Sequence, residues 1–164
     1  MRASSPITAL QDVFWQRAAQ LLLYHTNPWD LDAALEGFGY GIGPCAAQDH
    51  LGLDKVLARA PKDAHLILSR MLAEGRMGKT GGVGYYRYPG GGGAVIDPLI
   101  EDLIREEAWF AKIERQEQED DWLVAQMNAA LVAGCRALPM QSDWAKVLGR
   151  AVHFPGSRVA ALGL

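Results

Sequence analysis

Four glycines at every second position, in Gly37-Phe38-Gly39-Tyr40-Gly41-Ile42-Gly43-Pro44, constrain this chain more than any other feature. Glycine loses the most backbone freedom on entering a helix, and Pro44 lacks the N–H a continuing helix would need. A helix must therefore end near Gly37. The run reads as a tight turn with Phe38, Tyr40 and Ile42 facing inward. A second stretch, residues 75–93, holds Gly75, Gly78, Gly81, Gly82, Gly84 and Gly90 to Gly93, with Tyr85, Tyr86 and Tyr88 as a short extended piece. Its end, Pro89-Gly90-Gly91-Gly92-Gly93, has the composition of a flexible connector. It sets the boundary expected between two units sharing a core, residues 1–93 and 94–164.

Between these breaks the apolar residues recur at helical spacing. From about Ile7 to Tyr24 the stripe is Leu10, Val13, Phe14, Ala18, Leu21 and Leu22, with Arg17 a polar break. Asn27-Pro28 supplies an N-cap and a first helical position, with Asp30 and Asp32 near the positive end of the helix dipole. That helix should stop at Gly37. A third is expected over 46–60, interrupted near Gly52. Pro61 should restart helix, with Leu66, Ile67, Met71 and Leu72 inward and Gly75 closing it. Asp97-Pro98 opens another, carrying Leu99, Leu103, Ile104 and Ala108. Residues 114–121 are almost wholly polar and read as a solvated face or a short break. Trp122, Leu123, Met127, Ala130 and Leu131 resume a buried face up to Gly134, and 139–148 form one more short helix. The C-terminal tail has no clear period.

A weak repeat joins the two parts. Pro28 to Asp32 and Pro139 to Asp143 span the same interval, each followed by glycine, at Gly37 and Gly149, and by an aromatic turn.

The net charge of -3 gives no general attraction to phosphate backbones or anionic lipid, so no nucleic-acid partner is expected. No apolar run approaches the roughly 20 residues that cross a bilayer, and Met1-Arg2-Ala3-Ser4-Ser5-Pro6 leads into no signal-like segment. Cys45 and Cys135 form no C-x-x-C pair and read as reduced, packed thiols of a cytoplasmic protein. His25, His65 and His153 share no ligand spacing, so no metal site is expected.

Several stretches invite a sharper chemistry. Residues 73–80, Ala-Glu-Gly-Arg-Met-Gly-Lys-Thr, fit a relaxed P-loop pattern, but a P-loop needs a strand before it and a helix after it, and here the order is a helix and then a Gly/Tyr stretch. Asp49 and Asp54 flank His50; the acid–base reading yields to helix capping. Tyr85, Tyr86 and Tyr88 read as side chains packed on helices with hydroxyls at the rim. Trp109, Phe110 and Trp122 flank the polar stretch and suggest a partner surface.

Three segments in order carry a resemblance: GFGYGIGPCAAQDHLGLD at 37–54, GRMGKTGGVGYYRY at 75–88 and DPLIEDLI at 97–104, with PWDLDAAL at 28–35 preceding them. They resemble the C-terminal domain of the 3-hydroxyacyl-CoA dehydrogenase family over roughly residues 14–104, with 115–156 similar to a degenerate second copy. The resemblance implies an all-α fold of the 6-phosphogluconate dehydrogenase C-terminal-like kind with a degenerate second repeat. It implies a stand-alone substrate-cleft and dimerisation domain of fatty-acid β-oxidation type, as a homodimer or with a Rossmann-domain dehydrogenase subunit. Acyl-CoA would be the substrate class. NAD would be held only with that Rossmann partner, which would also carry the family's catalytic His-Glu pair, so no catalytic residue is assigned here. The family's lysine of K-T-G contacts NAD, and Lys79 is its candidate, although Thr80 takes that place when residues are counted from Gly75. The family's Asn at the start of the first helix is replaced by Thr8. That departure supports an alternative: a non-catalytic helical interaction protein that kept the fold and lost the reaction.

Overall fold

The computed structural model describes residues 5–61 and 64–164, and they fold as helices joined by short turns. α1 (Pro6–Tyr24) is capped by Ser5, whose hydroxyl accepts the Thr8 N–H at 3.1 Å. α2 (Pro28–Phe38) is capped by Asn27, which accepts the Asp30 N–H at 2.9 Å. α3 (Pro44–Leu51) and α4 (Leu53–Ala58) are separated by Gly52, whose φ of +108° breaks the helix at the expected place. α5 (Leu66–Ala73), α6 (Pro98–Phe110), α7 (Asp120–Arg136) and α8 (Trp144–Val152) complete the set, with 3-10 turns at Pro89–Gly91 and Gly156–Leu162.

α1 is the centre. It packs on α7, α8, α3 and α6, which explains why Leu10, Phe14, Trp15, Ala18, Leu21 and Leu22 are all buried around more than one stripe. One hydrophobic cluster runs from Leu10 to Phe154. The packing is reciprocal: α1 lies on α8 as α2 lies on α7. The turns that follow α2 and α8 also meet. Gly41 donates its N–H to the His153 carbonyl at 2.9 Å, and Tyr40 packs edge-on against Phe154 at 5.3 Å.

Several boundaries differ from expectation. α2 runs one residue past Gly37, and Gly39 takes the positive φ that ends it. In the turn, Tyr40 is buried, whereas Phe38 and Ile42 are only half-buried. The restart expected at Pro61 passes through residues outside the described ones; the described helix begins at Leu66, which faces outward while Leu68 faces in. Gly75 closes α5 as expected, with the Arg76 N–H bonded to the Met71 carbonyl and the Gly75 N–H to Leu72. Gly134 does not end α7. A side chain there would stand 3.1 Å from Leu10, so this glycine lets α7 approach α1, and the helix continues to Arg136. Residues 114–119 are non-helical, so the polar stretch is a break. The last helix begins at Trp144, not at Pro139, because Asp143 caps it by accepting the Lys146 N–H.

Candidate functional site

The glycine-rich loop between α5 and α6 is held by two buried aspartates. Asp32 points from α2 at the N-terminus of α3, where Gly43 offers no capping side chain. Its carboxylate accepts the N–H groups of Cys45 at 2.9 Å and Ala46 at 3.0 Å, the orphan donors of that helix start. A Cβ on Gly43 would collide with Asp32, which explains the Gly-Pro pair. Asp32 therefore serves the dipole of α3 and not that of its own helix. Asp143, its counterpart in the repeat, is instead an ordinary N-cap. Tyr86 completes the site by donating its hydroxyl to Asp32 at 2.8 Å.

Asp49 lies in the last turn of α3 and does not cap a helix, contrary to expectation. Its carboxylate accepts the N–H groups of Tyr85 at 2.8 Å and Tyr86 at 3.1 Å and the hydroxyl of Tyr88 at 2.7 Å. Neighbouring His50 is exposed, and Asp54 sits in the first turn of α4 without a capping bond. The tyrosine hydroxyls are thus not at a rim. Two of them feed buried carboxylates, and Tyr85 is fully buried with its hydroxyl unpaired. A third tie is the buried pair Arg76–Asp97 at 2.8 Å; Arg76 also donates to the Gly84 carbonyl at 3.0 Å, and Asp97 caps α6 by accepting the Leu99 N–H.

Burial raises both carboxyls. Asp32 is pushed up to about 7, with the Cys45 N–H and the Tyr86 hydroxyl acting against the burial. Asp49 is pushed up to about 6, opposed by the Tyr85 N–H and the Tyr88 hydroxyl. Burial likewise drives the Cys45 thiol upward, so it is a packed thiol and not a nucleophile.

Around this core the loop presents its surface residues. Lys79 is half-buried; its N–H donates to the Asp49 carbonyl at 2.9 Å, and its ammonium lies 5.9 Å from the Tyr88 ring centroid. Thr80 and Gly81 are exposed beside it. The Leu53 N–H at the start of α4 donates to the Met77 carbonyl at 2.9 Å. At the other end of α4, Arg59 reaches α1, pairing with Asp12 at 2.8 Å and donating to the Thr8 carbonyl at 3.2 Å. A helix of six residues is about 9 Å long, so α4 links the Lys79 loop to the first turn of α1 over a short span. Thr8 itself accepts a hydrogen bond from the Ser5 hydroxyl at 3.1 Å within the helix cap.

Sequence reasoning assigned Asp32 to the dipole of its own helix and missed its bonds to α3, and it missed the Arg76–Asp97 pair. A signal for Asp32 existed: an acid set between Leu31 and Ala34-Leu35 on an apolar face needs donors, and an uncapped Gly-Pro helix start supplies them. The partner-surface candidates divide. Trp109 is 75% exposed and Phe110 60%, whereas Trp122 is half-buried against His25. Among the described residues no cluster of three metal-ligating side chains occurs, and no helix is long and apolar enough to cross a membrane.

Residues 8–88 match the family described as 3-hydroxyacyl-CoA dehydrogenase, C-terminal domain. Two curated relatives, both named fatty acid oxidation complex subunit alpha, come from Shewanella sp. strain MR-7, 28% identical, and strain MR-4, 33% identical. In each the alignment covers 87% of this chain and 22% of the relative, so the chain spans less than a quarter of their length. A solved structure, the dehydrogenase part of multifunctional enzyme 1 from C. elegans, superposes with a TM-score of 0.65 over 79% of this chain and 31% of that one. At 23% identity it speaks for the fold.

Proposed function

We propose that this chain, whose residues 8–88 match the C-terminal domain of the 3-hydroxyacyl-CoA dehydrogenase family, forms one wall of an acyl-CoA cleft against a Rossmann domain supplied from outside these 164 residues. The reaction would be hydride transfer from the 3-hydroxyl carbon of the acyl chain to NAD, with the proton of that hydroxyl taken by a base of the Rossmann domain. This chain's part is binding and orientation. The observation that carries the reading is the loop at 78–88: its backbone is tied to α3 and α6 by buried bonds, while Lys79, Thr80 and Gly81 remain at its surface. A rigidly seated cation suits a diphosphate or carboxamide of a cofactor held by a neighbour. Lys79 is the residue we assign to that contact. The exposed Trp109–Phe110 pair suits a subunit contact, by a second copy or by the dehydrogenase partner. Two buried thiols without a disulfide fit a cytoplasmic setting.

The test is Lys79→Ala in the chain reconstituted with its Rossmann partner. The KM for NAD should rise several-fold with kcat little changed, the pattern expected when a ground-state contact to the cofactor is lost. An unchanged KM would remove the cofactor role from Lys79. One observation favours the non-catalytic alternative: Thr8 spends its side chain in the helix cap, where the family places an Asn. Calorimetry of the isolated chain with acetoacetyl-CoA separates the two readings, since measurable binding requires that a cleft wall has been kept.

A further inference from the structure

We propose that Asp49 is the positioning residue for Lys79, holding both limbs of the loop so that the ammonium stands over the Tyr88 ring. The proposal rests on the reading of Lys79 as the cofactor-side residue, but its geometry is independent of what Lys79 meets.

The loop doubles back on itself. Gly78 donates to the Val83 carbonyl and Gly82 to the Lys79 carbonyl, each at 2.9 Å, and the Tyr88 N–H returns to the Gly82 carbonyl at 2.9 Å. Asp49 grips this hairpin from beneath at two places. Its backbone carbonyl takes the Lys79 N–H on the outgoing limb; its carboxylate takes two N–H groups and the Tyr88 hydroxyl on the returning limb. The Tyr88 ring so fixed is the one that carries the Lys79 ammonium. Thus Lys79 is referred to Asp49 twice, once through its own peptide and once through an aromatic ring.

The glycines show that this approach is close. A side chain at Gly78, where φ is +119°, would stand 2.7 Å from the Asp49 carbonyl oxygen, and one at Gly84 would collide with the Asp49 carboxylate. Asp49 is itself only 1% exposed beneath the loop, so it cannot touch a docked cofactor. It acts through the loop alone. Asn at this position keeps the size but replaces one acceptor oxygen by an NH2 group that would face a donor. The Tyr88 hydroxyl can turn and accept from that NH2, so the loss falls on the backbone: whichever way the amide is turned, one of the Tyr85 and Tyr86 N–H groups is left without its acceptor, and the returning limb is held less firmly.

The experiment labels the full chain by reductive methylation with 13C-formaldehyde. The chain has five lysines, and the Lys79 signal is identified by its disappearance in Lys79→Arg. In the parent protein the Lys79 dimethylammonium signal should lie upfield of the others through the Tyr88 ring current. In Asp49→Asn, which leaves the backbone carbonyl in place and weakens the side-chain grip, that displacement should shrink while far-UV circular dichroism and the remaining lysine signals are unchanged. Tyr88→Phe, which keeps the ring but removes one bond to Asp49, should lose part of it, and it carries the test if Asp49→Asn does not fold. A Lys79 signal that keeps its full displacement in either folded variant overturns the proposal, as does its absence in the parent. With the Rossmann partner present, Asp49→Asn should raise the KM for NAD as Lys79→Ala does. If Asp49→Asn moves the signal and neither substitution moves KM, positioning stands and the cofactor reading falls.

Discussion

Asp32 and Asp49 each sit in the core with three hydrogen-bond donors and, among the described residues, no cation bonded to them. Their carboxyls are raised from 3.8 to about 7 and about 6. A carboxyl with a raised folded-state value binds its proton more tightly folded than unfolded, so it favours folding at low pH and loses that contribution as pH rises through the folded value. Between about pH 4 and pH 7 the unfolding free energy should therefore fall. His65, lowered by burial, works the opposite way at and below its ordinary 6.5, and one imidazole is outweighed by two carboxyls. The urea midpoint should be lower at pH 8 than at pH 5; a midpoint that rises over this interval would mean that the two acids are fully ionised in the folded protein. Sequence placed both aspartates but misjudged their tasks. Asp32 was legible as a residue near a helix start, and Asp49 as a polar neighbour of His50. Which helix an aspartate serves depends on a chain crossing 13 residues away for Asp32 and 36 away for Asp49, and local patterns carry no such information.

At the scale of elements, capping was legible where an Asn or Asp stands before a proline, at Asn27-Pro28 and Asp97-Pro98, and both residues cap the helices they precede. Ser5 and Asp143 also cap, but sequence reasoning did not name Ser5 and placed Asp143 inside a helix. What was not legible were ends set by tertiary contact, such as the passage of α7 through Gly134. The polar stretch after α6 is an example of hidden work. Arg115 donates to the carbonyls of Leu22 and Leu23 in the last turn of α1 and of Thr26 just beyond it, and the Gln116 N–H bonds to the Tyr24 carbonyl. A guanidinium there also meets the negative end of the helix dipole. Arg115→Ala should destabilise the protein by about 2 kcal/mol, the scale of lost hydrogen bonds from a charged donor, and should speed amide exchange in residues 22–26 before it does so in α7. Unaltered exchange at the end of α1 would show that the strap is incidental.

The whole molecule is one helical body built around α1, and its loop surface is shaped by groups that never reach solvent. The segments that carry the resemblance, residues 37–54, 75–88 and 97–104, are brought together in the fold by buried bonds: Asp49 to Tyr85, Tyr86 and Tyr88, Asp32 to the Gly-Pro turn, and Arg76 to Asp97. Such a network stabilises the fold whether or not a reaction is run, so keeping the fold and keeping the activity are separate properties. The measurement that separates them is complementation. A Rossmann domain from a fatty acid oxidation complex subunit alpha, stripped of its own helical domain, would be assayed for NADH-dependent reduction of acetoacetyl-CoA with and without this chain. Activity that appears on adding the chain and saturates at a fixed molar ratio is the predicted result. A domain that stays inactive at every ratio, although the two proteins bind each other, would contradict a role in the dehydrogenase cleft.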